Sequence, residues 1–444
     1  MALRYDRGMA RTFWVETLGC PKNQVDSDKL AGTLLAEGMA AAPAPEDADL
    51  VVVNTCAFVE DARAESIETI LALGDARRPG AQLVVTGCLA ERYGEELAAA
   101  LPEADAVVGF GVPVTIGAKP TIPSFDLLNL PRPAVSAPWA YVKVAEGCDR
   151  KCGFCAIPSF RGRQRSRALD DVLAEIDGLE VREVVLVAQD LASYGRDQGR
   201  GARQLGLLVR EAARRVDWVR LLYLYPSELS DELIDTIVAT GVPYFDLSLQ
   251  HVSAPLLRRM RRWGDAGRFL ERIDRIRRSE PGAVLRTNFI VGYPGETEAD
   301  HDALLAFVEQ AQLDWCGFFA FSREEGTYAA GLDGEVPASL VAERLAELRE
   351  LQDAITAAKR DELLGSRVEV LVEAPGQARS YREAPEIDGV ITVPSHLPVG
   401  DFAEVEITGA AGPDLVAVPV AGVPVGVPAT APTPAGVAAG RAGS

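Results

Sequence analysis

Three cysteines lie within eight residues of one another in the segment GCDRKCGFCAIPSFRGRQRSR, which begins at Gly147. Cys148, Cys152 and Cys155 have the spacing C-x3-C-x2-C. Thiolates bind zinc or iron–sulfur clusters, and such sites normally take four protein ligands. Three thiolates would leave one iron of a four-iron cubane open, and an open metal position is typical of a catalytic site. A structural zinc site is the alternative, but the three histidines lie far away in the sequence.

The other cysteines are widely spaced, yet three of them share a local pattern. Cys20, Cys56 and Cys88 each end an apolar segment, in TLGC, VVNTC and VVTGC. If these segments are parallel strands of one sheet, their carboxyl ends meet at the same edge and the three thiols converge. The sequence therefore predicts a second cluster with an open iron, with three buried structural thiols as the alternative. Cys316 lies inside an apolar segment and is predicted to be a core residue.

The elements that must position these cysteines follow an α/β pattern. From Thr12 to about Val114 apolar strands alternate with helical segments, which predicts a parallel sheet with crossover helices. We expect an N-terminal three-layer α/β domain over 1–115. The segment 116–138 is rich in proline and has no periodicity, so it is predicted to be a linker.

From Trp139 the alternation runs for six strand–helix units, which predicts an open (βα)6 partial TIM barrel over 139–365. Cys148 follows the first strand, at the mouth where barrel active sites form. Four short β-branched segments, RVEVLVEA, GVITVP, DFAEVEIT and LVAVPV, then predict a small β-barrel over 366–420. The last segment, 421–444, has almost no charge and is predicted to be a disordered tail.

Further polar residues and glycines follow other barrel strands and predict a nucleotide site at the same mouth. These are Gln189, Asp190, Gln250, Gly292 and Gly295. The glycines would let the backbone approach an adenine, although each polar residue could equally be an ordinary loop residue. The arginines of RGRQRSR could hold carboxylates or only solvate a loop; they are Arg161, Arg163, Arg165 and Arg167.

Composition limits the partners. The chain has 45 basic and 65 acidic residues and a net charge of −20, which disfavours broad nucleic-acid binding and specific DNA binding. Such a charge suits a basic protein partner, or serves solubility alone. There is no apolar run of 18 residues and no signal segment, so we expect a cytoplasmic protein without a membrane span. Cysteines in that compartment indicate metal or redox chemistry.

The cysteine motif after a barrel strand resembles that of the radical S-adenosylmethionine superfamily. From Thr12 to about Val420 the layout resembles the methylthiotransferases of that superfamily, in TLGCPKNQVDSD, NTCAFVEDARAESIE, GCLAERY and RGRQRSR. The final β-barrel is similar to a TRAM domain, which is OB-like. The resemblance implies two 4Fe–4S clusters, S-adenosylmethionine as a cofactor, and an electron donor such as flavodoxin or ferredoxin. It assigns radical formation to the cluster at Cys148, Cys152 and Cys155, and sulfur transfer to the other triad.

Two substrates are known in that family, an adenosine of tRNA and an aspartate of a ribosomal protein. LGCPKNQVDSD, LYLYPSEL, LQHVSAPLLRRMRR and RSYREAPEIDG resemble the branch that modifies the aspartate β-carbon of small-subunit ribosomal protein S-twelve. Ser248 and Arg382 depart from that branch's pattern. From Ser366 onward four arginines face nine acidic residues, which suits a basic protein better than RNA.

Three acidic residues of that region, Glu383, Glu386 and Asp388, are therefore predicted to contact the ribosomal protein. Two alternatives stay open. One is a tRNA adenosine methylthiotransferase of the same family, and the other is a non-catalytic, metal-stabilised ribosome assembly factor.

Overall fold

The computed structural model describes residues 11–110, 128–199 and 204–420. The chain divides into two compact units, Met1–Lys359 and Arg360–Ser444. The predicted α/β domain and the predicted partial barrel up to Lys359 fall in the first unit. The last six residues of the predicted barrel domain, 360–365, fall in the second unit together with the predicted β-barrel. Part of the predicted linker, 116–127, and the whole predicted tail, 421–444, lie outside the described residues.

The N-terminal domain is a five-stranded parallel sheet in the order β2-β1-β3-β4-β5. Its strands are β1 (Thr12–Thr17), β2 (Ala40–Ala41), β3 (Leu50–Thr55), β4 (Gln82–Gly87) and β5 (Ala106–Val107). Its helices are α1 (Pro21–Ala36), α2 (Glu60–Ala76) and α3 (Cys88–Ala100).

Every residue of the central strand β3 is buried, because helices cover both faces of the sheet. Successive residues of β3 enter two different cores. Val52 packs with Leu30 and Leu34 of α1, whereas Val53 packs with Ile70 of α2. The predicted three-layer α/β domain is therefore confirmed.

The central domain contains two three-stranded parallel sheets, β10-β9-β6 and β11-β12-β13, and a short antiparallel ribbon, β7-β8. These strands are β6 (Trp139–Lys143), β7 (Ala145–Glu146), β8 (Arg165–Ser166), β9 (Glu183–Val187), β10 (Trp218–Leu221), β11 (Tyr244–Gln250), β12 (Val284–Val291) and β13 (Trp315–Ala320). A parallel bridge from Leu224 to Leu247 joins the two sheets. In the part of the chain that is described, no pairing joins β6 to β13. The six strands thus form the predicted open partial barrel.

Helices follow the barrel strands and complete the βα units. They are α4 (Ile157–Arg161), α5 (Leu169–Leu179), α6 (Gln204–Ala212), α7 (Asp231–Val238), α8 (Ala254–Arg259), α9 (Ala266–Ser279), α10 (Glu298–Ala311) and α11 (Ala338–Asp361). Side chains cap several amino termini. Ser230 accepts a hydrogen bond from Leu233 N at the start of α7, and Thr297 forms a capping box with Asp300 at the start of α10. Among the described helices, none combines the length and the apolar character that crossing a membrane requires.

The second unit contains a closed five-stranded barrel in the order β14-β15-β16-β18-β17. Its strands are β14 (Arg367–Ala374), β15 (Gln377–Arg379), β16 (Ile391–Thr392), β17 (Phe402–Ala411) and β18 (Asp414–Pro419). The sequence pattern predicted four of these strands and missed β15. That strand is short and contains Arg379, whose buried guanidinium pairs with Glu373, so no apolar pattern marks it.

Candidate active site

The three N-terminal cysteines converge at the carboxyl edge of the first sheet. Cys20 follows β1 and caps α1, Cys56 directly follows β3, and Cys88 directly follows β4. Burial raises the pKa of the Cys56 thiol to about 11, and the neighbouring Cys88 and Cys20 add to this effect. The parallel topology therefore brings together three thiols that are 36 and 32 residues apart in sequence. We call this set the N-terminal triad.

Glycines precede two of these cysteines because the backbone there has little room. Gly19 has a φ of +96°, and a Cβ on it would lie 2.8 Å from Cys56 Sγ. Gly87 has a φ of +93°, and a Cβ on it would lie 2.4 Å from Asn54 Oδ1. Any other residue would combine a strained backbone with a steric clash. The repeated Gly-Cys pair in the sequence is thus a signal of this packing.

Positive charge surrounds the N-terminal triad. Burial opposes ionisation of Cys20, but Lys22 and Arg161 outweigh it and lower the pKa of the thiol. Arg161 Nη2 donates hydrogen bonds to Cys88 Sγ at 3.1 Å and to Asn23 Oδ1 at 2.7 Å. Burial nevertheless raises the pKa of Cys88, against the effect of Arg161. Cations beside buried thiols favour the thiolate form that metals bind.

The second set of cysteines, the barrel triad, lies on the loop after β6 and β7. Burial raises the pKa of Cys148 to about 11 and that of Cys155 to about 12, and Cys152 adds to both shifts. The backbone N–H of Arg150 points at Cys148 Sγ at 3.4 Å, and Arg262 Nη1 donates to Cys152 Sγ at 3.1 Å.

Sequence reasoning missed Arg262, which is 110 residues from Cys152. The ring of Tyr225 lies between two cations, with Arg150 at 3.9 Å and Arg262 at 4.4 Å from its centroid. In the sequence, the only signals of these contacts were the basic run RRMRR, which contains Arg262, and the aromatic segment LYLYPSEL, which contains Tyr225. These contacts fix both guanidinium groups beside the barrel triad.

The donor chemistry fits iron–sulfur clusters better than single metal ions. A tetrahedral zinc site holds its thiolates about 3.8 Å apart, since each Zn–S bond is about 2.3 Å. A cubane cluster takes one thiolate per iron and therefore spreads its ligands more widely. Among the described residues, no three His, Cys, Asp or Glu side chains are arranged to hold a single metal ion.

Two of the predicted polar residues lie near the barrel triad and have unused hydrogen-bonding capacity. Gln189 Nε2 donates to Glu146 Oε1 at 2.7 Å, and Asp190 Oδ2 accepts from Arg150 Nε at 2.6 Å. Their other oxygens, Gln189 Oε1 and Asp190 Oδ1, are buried and have no hydrogen-bond partner among the residues that the structure describes. A cavity of about 220 Å³ opens beside Asp190 and Arg150. Buried acceptors of this kind are suited to a bound group with N–H donors.

The other predicted mouth residues occupy special backbone conformations. Gln250 ends β11 with a φ of +72°, next to a register shift in the pairing with β12. Gly292 and Gly295 have φ values of +81° and +87° in the loop after β12. A Cβ on Gly292 would lie 2.5 Å from the side chain of Val341. Among the described residues, no contact links Gln250, Gly292 or Gly295 to a cysteine of either triad. Their role in binding a cofactor therefore stays a prediction.

A buried ion network runs from the N-terminal triad to the segment that immediately precedes the barrel triad. Arg161 Nη1 donates to Glu146 Oε2 at 2.9 Å and lies 3.3 Å from Asp26 Oδ2. Lys143, which is fully buried in β6, pairs with Glu146 at 2.7 Å and also with Asp26. Burial opposes ionisation of Glu146, but Arg161 and Lys143 hold its pKa well below the usual range. Because Glu146 lies two residues before Cys148, this network connects the N-terminal triad to the barrel triad.

Only part of that network could be predicted. The first alternative for the arginines of RGRQRSR, that they hold carboxylates, is confirmed for Arg161 and Arg167. Arg161 pairs with Glu146 and Asp26, and Arg167 pairs with Glu175 at 2.7 Å. The alternative of a solvated loop fits Arg163, whose side chain is 90% exposed.

Comparisons with known proteins agree with this architecture. Three family models match the chain: the uncharacterized protein family UPF0004 at residues 12–109, the radical SAM superfamily at 142–308, and the TRAM domain at 364–420. The ribosomal protein uS12 methylthiotransferase RimO of Cutibacterium acnes is 41% identical, over 92% of this chain and 98% of that protein. The RimO protein of Moorella thermoacetica is 43% identical, over 89% of this chain and 96% of that protein. The RimO protein of Aquifex aeolicus is 42% identical, over 90% of this chain and 95% of that protein. The chain belongs to the RimO family.

Membership in the RimO family and the radical SAM match make this chain an enzyme that uses S-adenosylmethionine and 4Fe–4S clusters. The three matched models also agree with the predicted order of an N-terminal domain, a radical SAM barrel and a TRAM barrel. The predicted resemblance to methylthiotransferases is thereby confirmed.

One acidic residue predicted to bind a partner is placed inside the second unit. Glu383 is fully buried, pairs with Arg360, and accepts hydrogen bonds from Ser380 N and Oγ at 2.8 and 2.7 Å. The prediction that Glu383 contacts a partner is wrong, because its carboxylate neutralises a buried arginine instead. Glu386 is exposed, and Asp388 is half-buried and accepts a hydrogen bond from Ala384 N at 2.8 Å.

Proposed function

We propose that this protein methylthiolates the β-carbon of an aspartate in ribosomal protein uS12. The reaction would use two molecules of S-adenosylmethionine and two 4Fe–4S clusters. The observation that carries the proposal is the pair of thiol triads, with a buried ion network that runs from Cys88 to Glu146, two residues before Cys148. The relatives of this chain are named uS12 methylthiotransferases.

The barrel triad would hold the cluster of the radical step. When bound, that cluster and S-adenosylmethionine supply a 5′-deoxyadenosyl radical, which can remove hydrogen from an unactivated carbon. The chain's own part is to orient the thiolates and offset their charge, through Arg262 on Cys152 and the backbone N–H of Arg150 on Cys148. The unpartnered oxygens of Gln189 and Asp190 would accept hydrogen bonds from a cationic amino group.

The N-terminal triad would hold the cluster of sulfur transfer. Lys22 and Arg161 place positive charge beside its thiolates, and Arg161 also fixes Cys88 by a hydrogen bond. The buried network from Arg161 to Glu146 would keep the two triads in a fixed relation. Such rigidity is needed because a radical at one centre must meet sulfur held at the other.

Charge supports a protein substrate over tRNA. The chain carries a net charge of −20, and phosphate contacts require positive surface. The relatives compared above are named for uS12, so neither the tRNA alternative nor the non-catalytic alternative is favoured. An electron donor of the flavodoxin or ferredoxin class and action in the cytoplasm belong to the same proposal.

Anaerobic turnover with uS12 and with tRNA, each analysed by mass spectrometry, tests this proposal. We expect uS12 to gain one methylthio group in place of a hydrogen, located on an aspartate, and tRNA to be unchanged. The matched control is the variant with Ala at Cys148, Cys152 and Cys155, which should modify neither. Modification of tRNA by the wild-type enzyme, or of neither substrate, would overturn the assignment.

A further inference from the structure

A buried lysine beside the N-terminal triad has no carboxylate partner in the part of the chain that the structure describes. Lys22 lies in the first turn of α1, two residues after Cys20, and is only 9% exposed. Among the described residues, no Asp or Glu lies within ion-pair distance of its Nζ. The group that Nζ does contact is the ring of Tyr223, whose centroid is 3.5 Å away.

The other two buried lysines among the described residues both have a carboxylate partner. Lys29 lies on the same helix and pairs with Glu175 at 2.9 Å. Lys143 pairs with Glu146 at 2.7 Å. Burying a charge is costly unless it is paired, and both of these lysines follow that rule. Lys22 differs from both, because among the described residues the acidic groups beside it are the Cys20 thiol and the Tyr223 hydroxyl, so that a carboxylate partner would have to arrive with a ligand.

Tyr223 supports this interpretation independently. It follows β10, the third barrel strand, and has a φ of +67°, which is strained for a bulky residue. Asp246 Oδ2 accepts a hydrogen bond from its backbone N at 2.9 Å and so helps to hold that conformation. Strain of this kind is retained at functional sites. Lys22 and Tyr223 therefore meet where the N-terminal domain faces the barrel mouth.

We propose that Lys22, together with the hydroxyl of Tyr223, binds the side-chain carboxylate of the substrate aspartate. This inference rests on the proposed function. The reacting β-carbon is bonded directly to the carboxylate carbon, so a cation that holds the carboxylate also positions the reacting carbon. Lys22 lies two residues from Cys20, whose triad would hold the sulfur to be transferred. The rival role is that Lys22 only offsets the charge of the N-terminal triad.

The test compares uS12 carrying its target aspartate with uS12 carrying asparagine at the same position. Lys22→Met removes the charge and keeps the length of the side chain. It should lower kcat/KM on the aspartate form ~10- to 100-fold, the loss expected for one charge-assisted hydrogen bond. The rate on the asparagine form should fall much less, so the preference for aspartate should collapse. Lys29→Met, on the same helix but paired with Glu175, should keep that preference.

Two further readouts separate substrate binding from the rival role. Formation of 5′-deoxyadenosine depends on the barrel triad and should be the same in Lys22→Met as in wild type. Iron lost from the N-terminal triad would slow both substrate forms equally, so the ratio of the two rates reports substrate binding. A variant that keeps its preference for aspartate, or that loses iron and slows equally on both substrates, would overturn the inference. If Lys22→Met does not fold, the wild-type enzyme alone tests the inference. Equal wild-type rates on the aspartate and asparagine forms of uS12 would overturn it. If the wild-type enzyme modifies no aspartate at all, the proposed function itself is wrong and the inference fails with it.

Discussion

Replacing Arg161 with glutamine should weaken the first unit more than any surface change nearby. The Arg161 side chain is only 3% exposed, and it is bound to Glu146, Asp26 and Cys88 Sγ. Without it, the two carboxylates would share Lys143 alone, and Cys88 would lose its donor. Removing one partner of a buried ion pair costs about 3–5 kcal/mol. We expect the free energy of unfolding to fall by that amount.

The assay is urea denaturation of the cluster-free protein, followed by tryptophan fluorescence, with the shift in midpoint converted through the wild-type slope. Arg163→Gln is the matched control, because that side chain is 90% exposed and its ion-pair partner among the described residues is Asp149, at 3.3 Å. Arg163→Gln should lower the free energy of unfolding by less than about 1 kcal/mol. Reconstituted Arg161→Gln should also retain less iron than Arg163→Gln. If both variants were equally stable and held equal iron, the network would have no role in supporting the N-terminal triad.

Two further predictions concern pH and docking. Burial lowers the pKa of His251 to about 4, whereas a histidine in the unfolded chain titrates near 6.5. The unfolded chain therefore binds a proton first as the pH drops. The free energy of unfolding should fall between about pH 6.5 and about pH 4, by on the order of 3 kcal/mol. Histidine NMR should show His251 neutral at pH 5.5, and a titration above pH 6 in the folded protein would contradict this. Changing Glu386 and Asp388 together to lysine should slow the modification of uS12, because the two proteins would associate more slowly. Cleavage of S-adenosylmethionine should stay intact. The difference in the rate of modification between variant and wild type should shrink at high salt, which screens the charges. Full activity of that variant at low salt would show that these residues do not dock the substrate.

Much of the fold could be predicted because buried parallel strands read as continuous apolar segments. Segments such as ADLVVVNT and EVVLVAQ mark β3 and β9, whose residues are all buried. Once the strands are parallel, the convergence of Cys20, Cys56 and Cys88 follows from topology, although no local pattern connects them. Strand β15 was missed because a buried arginine replaces the apolar pattern there.

The contacts that complete the site could not be predicted, because they join residues that are distant in sequence. Arg161 reaches Asp26 across 135 residues, and Arg262 reaches Cys152 across 110. Sequence patterns report burial and periodicity, but they do not say which buried charges will meet. Glu383 shows the same limit, because an acidic residue in a loop gives no sign that Arg360 will bury it.

Separate roles for the two triads are tested most directly by one triple variant, with alanine at Cys20, Cys56 and Cys88. The wild-type protein, prepared anaerobically, should hold about eight irons, and the variant about four. The variant should still cleave S-adenosylmethionine to 5′-deoxyadenosine, because the barrel triad is intact, but it should transfer no methylthio group to uS12. A folded variant that loses cleavage, or that keeps all of its iron, would contradict the assignment of one cluster and one role to each triad.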